Sequence, residues 1–205
     1  MALIDHYIDP SIVVVEKPAG LPAVPGRTPA LQDCLWRRLQ ARWPDALVVH
    51  RLDMATSGLM VFARGVQAQR ALGKAFAERR VRKRYVAVVS GRLEGRGEID
   101  LPLGADWPNR PKKKVDRERG KPSLTRWHAL AQEGVTSRLE LEPVTGRSHQ
   151  LRVHLLGIGH PIVGDELYAP EVAPAAGRLL LHAAGLAFEH PHTGQTLTFQ
   201  STPPF

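Results

Sequence analysis

The stretch HRLDMATSG, His50 to Gly58, sets an arginine, a carboxylate and two hydroxyls side by side and runs straight into the apolar GLMVFAR. A carboxylate flanked by small polar residues at the mouth of a strand stands where a scaffold would hold a nucleophile or a base. In extended backbone, residues two apart share a face, so Arg51 and Asp53 can address one cleft. The same spacing also suits an unreactive role, because Asp and Thr ahead of a regular element commonly cap it or turn the chain.

A second constellation lies in GRSHQLRVHLLGIGHP, where Gly146 opens a helix-like segment carrying Arg147, His149, Arg152 and His154 among Leu151, Val153, Leu155 and Leu156. Read blandly, this is a solvated basic face with two satisfied core histidines. A metal site is the weaker option, since histidines five residues apart with no carboxylate or third ligand nearby make poor ligand geometry. Tyr85 sits in RYVAVVS, directly after five basic residues, and by default would be half-buried sheet packing. His182, within RLLLHAAG, reads as a buried strand residue satisfied by a hydrogen bond. The glycines form neither GxxxxGK[ST] nor GxGxxG, so binding of nucleoside triphosphates or dinucleotides has no support.

Positioning these groups falls to elements that the patterning predicts. SIVVVE is a β-branched run that breaks into a loop with Pro18, Gly20, Pro22, Pro25 and Gly26. Leu31, Leu35, Trp36 and Leu39 fall at helical spacing, and Pro44 ends that segment. ALVVH and GLMVFAR read as strands, Val66 to Glu78 as a helix, and RYVAVVS, SLTRWHALA, SRLELEPV, RLLLHAAGLAF and QTLTFQ as further strands. Strands follow one another without intervening helices, which argues an α+β fold with a mixed, largely antiparallel central sheet and fits a parallel nucleotide-binding fold poorly. A single domain over residues 1–205 is expected, with the Pro/Gly-rich stretches short enough to be loops within it.

Charge narrows the partner. The 205 residues carry a net charge of +8, which suggests an anionic partner, nucleic acid being the commonest. The excess is concentrated in RRVRKR (Arg79, Arg80, Arg82, Lys83, Arg84) and in RPKKKVDRERGK from Arg110 through Lys112, Lys113 and Lys114 to Lys121; outside these windows acidic residues slightly outnumber basic ones. Arginine outnumbers lysine 21 to 7, and its planar fork suits bidentate phosphate contact and stacking on bases. Cys34 is alone, so no intramolecular disulfide or multi-cysteine zinc site can form. The N-terminal residues lack a basic region followed by an apolar run, and no apolar stretch is long enough to span a bilayer. A cytoplasmic protein is expected, with no membrane partner and no DNA partner.

HRLDMATSGLMVFAR resembles the signature of the RluA-type pseudouridine synthases, an HRLD followed by TSG. Three more segments agree in order: EKPAGLPAVPGR upstream, RKRYVAVVSG after the predicted helix, and GRSHQLRVHLLGIGHPIVGDELY ahead of RLLLHA. The resemblance implies the pseudouridine synthase fold, with Asp53 as the catalytic aspartate, Tyr85 as the active-site tyrosine and Arg147 as the arginine that pairs with the aspartate. It implies that Arg51 enters the space vacated by a flipped uridine. DWPNRPKKKV is similar to the corresponding segment of family members that act on 23S rRNA and the tRNA anticodon stem-loop, and so implies these RNAs as partners. Many members carry an S4-like domain ahead of the catalytic one; none is expected here. No cofactor and no metal are implied, and a monomer is expected.

The chemistry suits these residue types. Pseudouridine formation breaks the N1 to C1′ bond, turns the uracil and joins C5 to C1′, without redox change. An aspartate can attack C1′, attack C6 of the uracil, or remove a proton from C2′, and in each case must be ionised, a state that a nearby guanidinium favours. Tyr85 could stack on the base or take the C5 proton. The target must be extruded from its stack, and the basic stretches would grip phosphate. Two rivals share some of these features: a non-catalytic RNA-binding module, and a glycoside or nucleoside hydrolase that would need a second carboxylate near Asp53, for which Asp165 and Glu166 are the only acidic pair in the later motif.

Overall fold

The computed structural model describes residues 4–172 and 177–205. In chain order the elements are β1 (Ile4–Ile8), β2 (Ile12–Lys17), α1 (Leu35–Gln40), β3 (Ala46–Val48), β4 (Ser57–Arg64), α2 (Val66–Ala77), β5 (Arg82–Ser90), β6 (Arg96–Asp100), β7 (Leu103–Ala105), β8 (Lys113–Val115), β9 (Leu124–Glu133), β10 (Thr136–Pro143), α3 (Gln150–Gly157), β11 (Leu181–Glu189) and β12 (Thr196–Gln200). The class is α+β with mixed, largely antiparallel sheet structure, as expected. The chain divides into two units: the described residues up to Lys83 together with Ala183–Pro204, and Arg84–His182 together with Phe205.

The first unit orders its strands β1, β2, β4, β11, with β3 added to β4 and β12 to β11. The run Ile12 to Val15 is buried at every position, which explains why it shows no alternation: both faces of β2 are covered. Its antiparallel partner β4 is buried from Ser57 to Ala63, in a register that places Val14 opposite Val61. Helix α2 lays Ala68, Leu72 and Ala75, one face at spacing four and three, against Ile12, Val14, Val61, Leu186 and Phe188. Strand β1 was not legible in the sequence, because a bulge between Asp5 and Tyr7 interrupts the alternation of IDHYI.

In the second unit β5, β10, β9 and β6 follow one another, each joined antiparallel to the next, while β7 and β8 form a separate two-stranded ribbon. Strand β10 alternates as a half-covered strand should: Ser137, Leu139, Leu141 and Pro143 are buried, whereas Glu140 and Glu142 point the other way. Helix α3 packs against β8, β9 and β10. Strands β6, β7 and β8 were not predicted. RGEID lacks β-branched density apart from one Ile, and KKV lies inside the basic loop; their strand state comes from pairing rather than from local preference.

Candidate active site

The loop bearing Asp53 begins where β3 stops pairing with β4 at Val48 and Phe62. There the side chain of His50 takes over the ladder: its Nε2 accepts the N–H of Val61 at 3.1 Å, and its ring stacks on Phe76 with centroids 4.6 Å apart. Burial, reinforced by the nearby Lys83 ammonium, pushes the imidazole down to a pKa of about 3. His50 is therefore a neutral acceptor at any physiological pH, a structural role for the first residue of the signature.

Leu52 turns inward, 6% exposed, while Arg51 is exposed and Asp53 half-buried. Exposure thus alternates, with Arg51 and Asp53 on either side of a buried leucine. A turn follows, closed by the Thr56 N–H donating to the Asp53 carbonyl at 3.1 Å. Ser57 and Gly58 do not belong to that turn; they are the first residues of β4 and are buried. Gly58 has φ +115°, and a Cβ there would lie 2.4 Å from the Ala183 carbonyl oxygen. The glycine lets two main chains approach more closely than any side chain permits.

Below this loop lies Lys17, fully buried at the end of β2. Its Nζ donates to the carbonyls of Pro18 at 2.8 Å, Leu21 at 2.7 Å and Met54 at 2.9 Å, and the Gly20 N–H shares the Met54 carbonyl at 2.9 Å. Three acceptors match the three protons of the ammonium, which is what makes its burial tolerable. The cation ties the KPAGL loop to the residue directly after Asp53. Sequence reasoning missed it, although its place at the end of a wholly buried strand was a usable signal.

In the second unit Tyr85 lies half-buried on β5, opposite Leu141 of β10. Arg147 does not ride on a helix opened by Gly146: α3 starts only at Gln150, because His149 adopts a left-handed φ of +58°. Gln150, buried, organises the turn instead. Its Oε1 accepts the Arg147 N–H at 3.0 Å and the Thr145 hydroxyl at 2.7 Å, and its Nε2 donates to the Leu124 carbonyl at 2.9 Å and to Thr125 Oγ1 at 3.0 Å. The Arg147 side chain is exposed, with Nε reaching the Pro122 carbonyl at 3.4 Å.

Of the other residues in that motif, Arg152 and His154 are buried, so the reading of a solvated basic face fails for Arg152. Arg152 grips Asp165 through two hydrogen bonds of 2.7 and 2.6 Å, and Asp165 Oδ1 also accepts the N–H groups of Leu167 and Tyr168, each at 3.1 Å. Both oxygens of that buried carboxylate are engaged, which argues against it as the second carboxylate that a hydrolase would need. His154 is a satisfied core histidine: Nε2 donates to the Leu101 carbonyl at 2.9 Å, leaving Nδ1 to accept from the Thr125 hydroxyl at 2.9 Å. Burial lowers its pKa. His149 instead pairs Nδ1 with the Tyr168 hydroxyl at 2.6 Å. Among the described residues no group of three His, Cys, Asp or Glu side chains could hold a metal ion.

The two basic stretches differ. In the first, Arg80 pairs with Glu78 at 2.9 Å and Glu189 at 3.3 Å, and Arg84 pairs with Glu140 at 3.3 Å; Arg79 and Arg82 are exposed and Lys83 half-buried. This stretch is less positive than its composition suggests. In the second, Arg110 and Lys114 are exposed and Lys112 and Lys113 half-buried. No helix among the described residues is long and apolar enough to cross a membrane.

The α+β fold and the ordered motifs define a class of RNA-modifying enzyme: residues 11–156 match the RNA pseudouridylate synthase family, and the chain belongs to it. It converts uridine in RNA to pseudouridine. The chain is 52% identical over 189 residues to the dual-specificity RNA pseudouridine synthase RluA of Vibrio cholerae, covering 91% of this chain and 77% of that one. To the protein of the same name from Escherichia coli K12 it is 49% identical over 206 residues, covering 99% and 94%. The structure of human RNA pseudouridylate synthase domain containing 1 is similar at 30% identity and a TM-score of 0.83, covering 100% of this chain and 84% of that one.

Proposed function

We propose that the enzyme isomerises specific uridines in both 23S rRNA and the tRNA anticodon stem-loop, with Asp53 as its catalytic aspartate. The observation that carries this reading is the identity of about half, over nearly the whole chain, to enzymes named as dual-specificity RNA pseudouridine synthases. The exposure of Arg51 and partial exposure of Asp53 on either side of buried Leu52 is consistent with it. Asp53 would act on the sugar or the base, Arg147 would keep the carboxylate ionised, and Tyr85 would stack on the uracil or accept its C5 proton. Arg51 would fill the gap left by the extruded nucleotide. Lys112, Lys113 and Lys114 would contact phosphate. The enzyme would act as a monomeric single catalytic domain in the cytoplasm.

Purified protein incubated with each RNA carrying tritium at uridine C5 should release tritium to water from both, without added metal or nucleotide. Asp53→Asn should lose release while keeping nearly all RNA affinity; substantial turnover by that variant would overturn the assignment. Release from only one RNA would narrow the substrate. Replacing Lys112, Lys113 and Lys114 by Gln should weaken binding to all RNAs and flatten the salt dependence, and an unchanged slope would remove these lysines from the phosphate contacts.

A further inference from the structure

Trp107 stands at the tip of the loop between β7 and β8, 66% exposed. Among the described residues it is the sole exposed Trp, Tyr or Phe. The loop holding it is closed by hydrogen bonds: Asp106 N–H to the Lys112 carbonyl at 3.1 Å, Lys112 N–H to the Asn109 carbonyl at 2.9 Å, and Asn109 N–H to the Asp106 carbonyl at 3.2 Å. Asn109 Nδ2 also donates to Asp106 Oδ2 at 2.9 Å, and Pro108 and Pro111 restrict the backbone further. Farther along, the Lys113 N–H anchors the loop to the Tyr168 hydroxyl at 2.7 Å. The indole is thus presented on a rigid mount.

The Arg110 guanidinium lies over the indole, 3.8 Å from the ring centroid. The guanidinium covers one face of an indole whose residue is 66% exposed, so a further ring would stack on the opposite face. An indole left open to water adds little to folding. Lys112, Lys113 and Lys114 follow on the returning arm of the same hairpin, and an aromatic face near clustered cations is the combination that holds an unpaired nucleotide, the base by stacking and the backbone by charge.

We propose that Trp107 is a stacking platform for an unpaired base of the RNA substrate other than the target uridine, with Arg110 bracing the ring from behind and the cations of the returning arm drawing the phosphate backbone toward it. The inference rests on the RNA-substrate reading above. Every base has a π face, so the platform selects for strandedness rather than for sequence.

The test compares Trp107→Leu and Trp107→Phe with the wild-type chain, measuring Kd for an anticodon stem-loop and for a fully paired duplex across a range of salt. For the stem-loop, Trp107→Leu should weaken binding about 5- to 150-fold, the loss of one stacked base, while Trp107→Phe stays close to wild type. The slope of log Kd against log salt should not change, because stacking releases no counterions. Duplex binding should be the same in all three. Unchanged stem-loop affinity in Trp107→Leu, an equal loss on the duplex, or a flattened slope would each overturn the platform. If wild-type protein bound and isomerised RNA while Trp107→Leu matched it, only this inference would fail; absence of RNA binding by wild type would defeat the functional reading itself.

Discussion

The ammonium of Lys17 donates a 2.9 Å hydrogen bond to the carbonyl of Met54, so a buried cation at the end of one strand holds the main chain immediately beyond Asp53. Lys17→Met would take one donor from each of the carbonyls of Pro18, Leu21 and Met54. That should destabilise the fold by about 2–4 kcal/mol, read as a lower midpoint in urea. Turnover per folded molecule should fall about tenfold or more, because the loop then holds Asp53 less well, while RNA Kd changes little. Wild-type stability in the variant would show that the cation does not support the loop.

Gly58 and Gly73 give opposite predictions for the same substitution. Gly58→Ala places a Cβ against the Ala183 main chain in a left-handed conformation and should destabilise by about 3 kcal/mol or more. Gly73 lies within α2 with open space around it, so Gly73→Ala should stabilise by about 0.5–1 kcal/mol through helix propensity. Urea unfolding of the two variants side by side checks both signs.

Removing Arg152 alone strands a buried carboxylate. Arg152→Met should cost about 3–5 kcal/mol, whereas Arg152→Met combined with Asp165→Asn should cost less than the sum of the two single changes. A double-mutant cycle by chemical denaturation measures the coupling. Asp165→Asn should leave isomerisation per folded molecule intact, the outcome expected of a scaffold carboxylate.

His50 predicts a pH dependence of stability. Its folded pKa, about 3, lies below its ordinary value of 6.5, so between these limits the unfolded chain binds a proton that the native chain refuses. Stability from this group is complete above pH 6.5 and is lost as the pH falls toward 3, at a slope of at most about 1.4 kcal/mol per pH unit. His50→Gln, which can still accept the Val61 N–H, should flatten that acid limb. The same neutrality means that the rate profile of the wild-type enzyme should show no titration of His50 near pH 6.5.

Much of this architecture was legible because its signals are local. The β-branched run Ile12 to Val15, the apolar segment through Phe62, the alternation of SRLELEP and the periodicity of Val66 to Ala77 each specify an element within a few residues. What escaped depends on partners distant in sequence. The bulge in β1 and the pairing of RGEID with β9 are decided across strands. The late start of α3 follows from the backbone of His149 together with the amide of Gln150, whose partners Leu124 and Thr125 come from β9. The same holds for the site: Arg51 and Asp53 could be singled out from one short stretch, whereas the anchoring by Lys17 requires knowing that residues 17 and 54 meet.

The contact of Gly58 with the Ala183 main chain also bears on how the protein can be recombined with its relatives. The glycine of the signature is only as useful as the height at which a strand from the far end of the chain passes beside it. A hybrid that takes β4 from one parent and β11 from another inherits a tolerance set by backbone path, not by side-chain similarity, and matching residues would not rescue a mismatch. Viable crossovers should therefore leave β4 and β11 as a co-inherited pair, a module whose two halves are separated in sequence by most of the second unit.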